Sequence, residues 1–247
     1  MQDAYLPPAQ EIVAAPTHRI AFPMGSVKAM LTDIEGTTTS ISFVHDVLFP
    51  YAKKNVGEYL YAHQMDEAVL QIVQEVKEMA KVESLDQVIG TLLSWMEQDK
   101  KLTPLKTLQG LMWDEGYRRG DFQGHLYEDA YLQMKGWKER GMPLYVYSSG
   151  SVHAQKLLFS HSNYGDITPF FSGYFDTKVG IKKESASYTA IAEKMGLAPE
   201  EVLFLTDSMD EVKAAKAVGM QTVLVCREGT SATGCPSVSS FYQIDIQ

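Results

Sequence analysis

The segment Val27-Lys28-Ala29-Met30-Leu31-Thr32-Asp33-Ile34-Glu35-Gly36-Thr37-Thr38-Thr39 constrains the fold more than any other part of the chain. Val27, Ala29, Met30 and Leu31 follow one another almost without a polar break, which is the composition of a strand covered on both faces and so of a parallel sheet. Gly36 and the threonines end the run. In open parallel sheets ligands lie beyond the carboxyl ends of the strands, so a strand finishing in Asp33 delivers a carboxylate to a binding edge. Glu35 reaches the same cleft if the chain turns there. A carboxylate at such an edge can serve as metal ligand, nucleophile or base, and a second acid can hold or return a proton. Taken alone, the segment reads equally well as a strand closed by a Gly/Thr turn that happens to carry an acid.

The same pattern recurs after residue 143. Leu144-Tyr145-Val146-Tyr147 runs into Ser148-Ser149-Gly150-Ser151, and Val202-Leu203-Phe204-Leu205-Thr206 runs into Asp207, with Asp210 and Glu211 following. Helical patterns separate these runs, the alternation of a parallel sheet. Gly173-Tyr174-Phe175 reads as a short strand and Thr222 to Cys226 as the last clear one, with residues 227 to 240 as loop. From about 42 to 142 no convincing strand occurs. Val47, Leu48, Tyr51, Val56 and Leu60 recur at helical intervals, Ser84 is placed to cap a helix, and Thr103-Pro104 opens another. So long a stretch is no loop. The expected organisation is an N-terminal arm over 1–20, a sheet-containing unit over 21–41 and 143–247, and a helical insertion over 42–142.

If the strands share one parallel sheet, their polar ends face one crevice. Asp33 and Asp207 can then share Mg²⁺, a hard cation that prefers oxygen ligands and leaves positions for a phosphate oxygen. Ser148, followed by Ser149 and Gly150 at a helix start, offers a hydroxyl and backbone N–H groups to an anion. Lys182, just ahead of a helix, would offset charge developing in phosphoryl transfer and keep Asp33 ionised. Each feature has a plainer reading. Residues 148–151 can be only an N-cap, Lys182 and Lys183 solvated surface charge, and Asp207 to Glu211 a helix N-terminus favoured by acids.

In order, Asp33-Ile34-Glu35-Gly36-Thr37, the strand into Ser148, Lys182 ahead of Tyr188, and Thr206-Asp207 with Glu211 resemble the four motifs of the haloacid dehalogenase-like phosphatases. The resemblance implies an α/β fold with a Rossmann-like parallel sheet core and an inserted all-helical cap. It implies Asp33 as the nucleophile, Glu35 as acid and base, and Ser148, Ser149, Gly150 and Lys182 at the phosphate. Asp33, Asp207 and the main-chain carbonyl of Glu35 would surround Mg²⁺. Glu35 stands where that superfamily usually has Asp. With the triple threonine, Phe43 to Ala52, Gly110 to Tyr127, Tyr147 to Phe159 and Phe175 to Gly180, it is similar to the enolase-phosphatase (acireductone synthase) family of methionine salvage. The resemblance covers about 27 to 227. The implied reaction is enolisation of 2,3-diketo-5-methylthiopentyl-1-phosphate and removal of its phosphate to give the acireductone 1,2-dihydroxy-3-keto-5-methylthiopentene. A capped phosphatase or mutase acting on another small phosphoester is the alternative. Phe43, Leu48, Trp113 and Tyr117 are candidates for a pocket around the methylthio tail, and His45 and His125 for substrate contact.

A net charge of −9 argues against nucleic acid or an anionic membrane as partner and leaves a small phosphate ester as the expected one. No apolar run approaches the roughly 18 residues of a spanning helix. Residues 1–19 lack the basic start and apolar stretch of a signal peptide. With only Cys226 and Cys235, a reducing cytoplasm is the economical compartment. A monomer is expected.

Overall fold

The computed structural model of this chain describes residues 19–23, 25–228 and 234–246. Most of the expected N-terminal arm, residues 1–18, lies outside the described residues. Strands β1 (Ile20–Phe22), β2 (Ala29–Thr32), β3 (Leu144–Tyr147), β4 (Phe171–Phe175), β5 (Val202–Thr206), β6 (Gln221–Val225), β7 (Ser237–Val238) and β8 (Ile244–Ile246) alternate with helices. The main sheet is six-stranded and parallel, ordered β4-β3-β2-β5-β6-β7.

The apolar runs form its centre because they can be dry on both sides. Every residue of β2 and β5 is buried. Their side chains alternate between two layers, as a period of two requires. Met30, Leu203 and Leu205 enter one cluster, and Leu31, Val202 and Phe204 enter the other beneath helices α8 (Ser185–Met195) and α9 (Met209–Lys216). Truncating a fully buried side chain such as Leu31 to alanine costs about 2–5 kcal/mol in such a setting.

Register decides where the strand ends fall. Thr32 stands opposite Val146 of β3 and Leu205 of β5. One step further, Asp33 donates its N–H to the Leu205 carbonyl at 2.9 Å. Asp33, Ser148 and Asp207 thus leave three adjacent strands at one edge.

Between β2 and β3 the regular elements are all helices: α1 (Ile41–Phe43), a π-helical turn (Val44–Leu48), α2 (Phe49–Ala62), α3 (Glu67–Ala80), α4 (Leu85–Glu97), α5 (Thr103–Arg119) and α6 (Glu128–Glu139). Local signals set several ends. Ser84 accepts from the Gln87 N–H while the Gln87 side chain accepts from the Ser84 N–H, a reciprocal cap, and Pro104 sits in the first turn of α5. Ala52, Val56 and Leu60 of α2 join residues of α3, α4 and α5 in an apolar cluster of their own, drawn from residues 52–112. Helix α6 packs elsewhere: Ala130, Met134 and Trp137 enter the sheet-side cluster. The expectation that residues up to 142 form one helical unit groups α6 with helices whose core it does not share.

The chain ends also differ from expectation. Ile20–Phe22, partly within the expected arm, pairs in parallel with Ile244–Ile246, and β7 adds to the sheet edge from the stretch read as loop. Two or three residues give too few positions for an alternating pattern to register. Cys226 and Cys235 are both free thiols. Among the described residues, no helix is long and apolar enough to cross a membrane.

Candidate active site

The turn after β2 is held by one carbonyl. The Ile34 oxygen accepts from the N–H groups of Thr37, Thr38 and Thr39 at 3.1, 2.9 and 2.9 Å, and Gly36 N–H donates to the Thr39 carbonyl at 2.8 Å. Gly36 has φ +74°, and a Cβ there would lie 2.2 Å from Asp207 Oδ2. The turn therefore needs glycine twice, for its left-handed backbone and for the close approach of a carboxylate. The three threonines are fully buried.

Asp33 is 3% exposed and faces Lys182, whose Nζ lies 2.6 Å from Asp33 Oδ1 and 2.9 Å from Glu211 Oε2. The lysine reaches this point because its own segment is tied down. The Lys182 carbonyl accepts from Tyr188 Oη at 2.7 Å, the Ile181 carbonyl from Ser187 Oγ at 2.7 Å, and the Gly180 carbonyl from Tyr147 Oη at 3.0 Å. Burial alone would draw the Lys182 ammonium down, but the carboxylates of Asp33 and Glu211 hold it above the ordinary lysine range. Lys183, its neighbour, is solvent-facing and pairs with Asp210 at 3.1 Å. Glu211 also accepts from Thr206 Oγ1 at 2.8 Å, and its carboxyl is raised by burial and by the Asp33 charge.

Ser148 is fully buried and donates to Glu35 Oε2 at 3.2 Å. Glu35 is raised above the ordinary carboxyl range, first by burial and then by the Asp33 charge. Asp207, at the solvent side, is pushed up to about 6 by loss of hydration and by the charges of Asp33 and Glu211. A carboxylate raised by neighbouring negative charge suits a divalent cation, since a positive charge beside it relieves the repulsion. Among the described residues, no three His, Cys, Asp or Glu side chains form a ready metal-binding group, so a main-chain oxygen or solvent would have to complete such a shell.

Of the residues singled out from sequence, Asp33, Glu35, Ser148, Lys182 and Asp207 thus converge. Ser149 is exposed, and its carbonyl accepts from Lys106 of α5 at 3.2 Å. The Gly150 N–H, expected to face an anion, donates instead to Ser148 Oγ at 3.0 Å, because the serine hydroxyl folds back over the start of α7 (Val152–Ser160). Glu35 and Ser148 floor a cavity of about 590 Å³ whose far wall is the insertion. Leu48, Trp113 and Tyr117 line it, together with Lys106 and Gln109, which the sequence reading passed over. Both were hidden in α5, where a lysine and a glutamine at helical spacing look like surface. Phe43 is not in the lining. It is buried on the sheet side, 6.5 Å from the His125 ring. His45 lines the cavity, whereas His125 holds the threonine turn from behind, its Nδ1 accepting from the Ser40 N–H at 3.0 Å.

The profile of the haloacid dehalogenase-like hydrolases matches residues 27–219. Enolase-phosphatase E1 of Persephonella marina is 50% identical over 202 residues, 81% of this chain and 89% of its own length. Enolase-phosphatase E1 of Aquifex aeolicus is 48% identical over 222 residues, 89% of this chain and 100% of its own. The crystal structure of UTR4 protein (Unknown transcript 4 protein) from Saccharomyces cerevisiae is 33% identical, with a TM-score of 0.74 over 87% of this chain and 98% of that one. These matches run through the insertion as well as the sheet, so likeness is not confined to the motif-bearing strand ends. The chain belongs to the enolase-phosphatase E1 family of haloacid dehalogenase-like hydrolases.

Proposed function

We propose that this protein converts 2,3-diketo-5-methylthiopentyl-1-phosphate to 1,2-dihydroxy-3-keto-5-methylthiopentene and phosphate, the acireductone synthase step of methionine salvage. The observation that carries this reading is the cavity joining Glu35 and Ser148 to the apolar wall of Leu48, Trp113 and Tyr117, which suits a phosphate at one end and a thioether tail at the other. The family membership supports it. Within this reading the cap is the unit built on α2 to α5, which has its own apolar cluster.

The fold supplies a donor set for a metal. Asp33 and Asp207 leave neighbouring strands, and Gly36 leaves room for the Asp207 carboxylate where any Cβ would collide with it. These carboxylates and the Glu35 main-chain carbonyl would hold Mg²⁺, which supplies charge neutralisation at the phosphate when bound. Asp33 attacks phosphorus, and the bond to the substrate oxygen breaks as Glu35 passes its proton to that oxygen. Glu35, now a carboxylate, takes a proton from water as that water attacks the aspartyl-phosphate, releasing phosphate and restoring Asp33. Lys182 lies against the Asp33 carboxylate and faces the charge that develops on the transferred group. Ser148 orients Glu35 through its hydroxyl. In the enolisation a carbon-bound proton leaves and a carbonyl oxygen gains one.

The test is phosphate release with Mg²⁺ by wild type and Asp33→Asn, with the enolised product followed by ultraviolet absorbance and a panel of sugar phosphates alongside. The expected result is release from the diketone phosphate in preference to the sugars, abolished in Asp33→Asn. Equal release by both proteins removes Asp33 as nucleophile, and preference for a sugar phosphate replaces the substrate.

A further inference from the structure

The triple-threonine turn is held from behind by groups that touch neither the cavity nor the carboxylates. Arg227, directly after β6 and its following Cys226, donates from Nε and Nη2 to the Thr37 carbonyl at 3.0 and 2.7 Å. Its Nη1 lies 2.6 Å from Asp129 Oδ2, and both side chains of this pair are only 10% exposed. The guanidinium carbon sits 4.2 Å from the centre of the Tyr127 ring and 5.0 Å from that of Phe241. Asp129 is fixed in turn, its Oδ2 also accepting from Ser240 Oγ at 2.6 Å and from the Phe241 N–H at 2.7 Å. Alongside, the Tyr127 N–H donates to the Thr38 carbonyl at 3.0 Å and Thr39 Oγ1 to the His125 carbonyl at 2.8 Å.

We propose that Arg227 is a positioning residue for the reaction: by gripping the Thr37 carbonyl it sets the turn from which Asp33 and Glu35 project. The inference rests on the site reading above. The chain of contacts is short. Thr37 is bonded through its own N–H to the Ile34 carbonyl, and Ile34 lies between the two acids. A shift at Thr37 is therefore passed to both. Thr37 is fully buried, so without the arginine its carbonyl would lose the partner that satisfies it. Only a planar fork can meet the Thr37 oxygen and Asp129 together while lying between two rings. Lysine keeps the charge opposite Asp129 but not the fork.

The experiment compares wild type, Arg227→Lys and Arg227→Ala, using para-nitrophenyl phosphate and the diketone phosphate, with amide hydrogen exchange over residues 33–40 and guanidinium chloride added at low concentration. The expected result is a fall in kcat of about a hundredfold in Arg227→Lys, with KM within a few-fold, as for a misplaced reacting group. Added guanidinium should restore part of kcat in Arg227→Ala and leave wild type unchanged, and the amides of Thr37 to Ser40 should exchange faster in both variants. A kcat within twofold of wild type in folded Arg227→Lys overturns the proposal. So does unchanged exchange at those amides, an arm that decides the matter even if wild type releases no phosphate and the functional reading fails.

Discussion

Lys182 meets Asp33 with Nζ 2.6 Å from Oδ1, in a site where both side chains are less than a tenth exposed. The contact spans 149 positions of sequence and closes only because β2 and the segment before α8 are brought to one sheet edge. Its environment determines what removing the lysine would do.

Lys182→Met should abolish phosphate release and destabilise the fold. The substitution leaves Asp33 and Glu211 facing each other without a cation, and breaking a buried pair by deleting one partner costs about 3–5 kcal/mol. Urea denaturation of the metal-free protein would measure it. A loss within about 0.5 kcal/mol, the range of a neutral surface change, would mean that solvent already shields the pair.

Gly36→Ala should weaken cation binding more than it weakens the fold. The new methyl group would stand 2.2 Å from Asp207 Oδ2, so the carboxylate must move, while the left-handed backbone itself costs of order 1 kcal/mol. Titration of Mg²⁺ by calorimetry should show reduced affinity, with a modest drop in melting temperature. Unaltered affinity would take Asp207 out of the metal site.

Glu35→Gln preserves shape and the contact with Ser148 but cannot carry a proton. With para-nitrophenyl phosphate, whose leaving group needs no acid, the variant should release a rapid stoichiometric burst of nitrophenolate. Turnover should then stall, reduced about 10²–10⁴-fold, because hydrolysis of the phosphoenzyme lacks its base. Stopped-flow absorbance distinguishes this from unimpaired steady turnover, which would assign the proton transfers elsewhere.

His125 gives the fold a pH dependence. Its pKa lies below the ordinary 6.5, first through burial and then through the Arg227 charge. Its Nδ1 accepts the Ser40 N–H, so the neutral ring is the one the structure holds. A depressed folded-state pKa means that the stabilisation is complete above about 6.5 and is lost as pH falls through the folded value. Relative to His125→Asn, which offers an acceptor but does not titrate, wild type should lose stability from pH 6.5 downwards. Parallel urea midpoints for the two proteins across pH 5 to 8 would rule this out.

The sheet was legible because strands buried on both faces leave no room for polar residues, and β2, β3 and β5 are written that way. The carboxylates at their ends were legible for the same reason, since each interrupts an apolar run. Lys182 was legible only from its place between those strands and from the family resemblance, since a lysine beside a lysine otherwise looks like surface until the tyrosines that anchor its segment are placed. Arg227 was hidden by distance: its partners Thr37 and Asp129 lie 190 and 98 positions away. The packing of α6 was invisible because helical periodicity shows that one side is apolar but not which neighbour receives it. The short strands β1, β7 and β8 take their pairing from tertiary context alone.

The separate apolar interior of α2 to α5 has an evolutionary corollary. Residues lining the substrate chamber from that side can drift, and with them the choice of molecule, while the acids and the lysine at the sheet edge keep their mutual geometry. A scaffold divided in this way can try new specificities without rebuilding its reactive machinery.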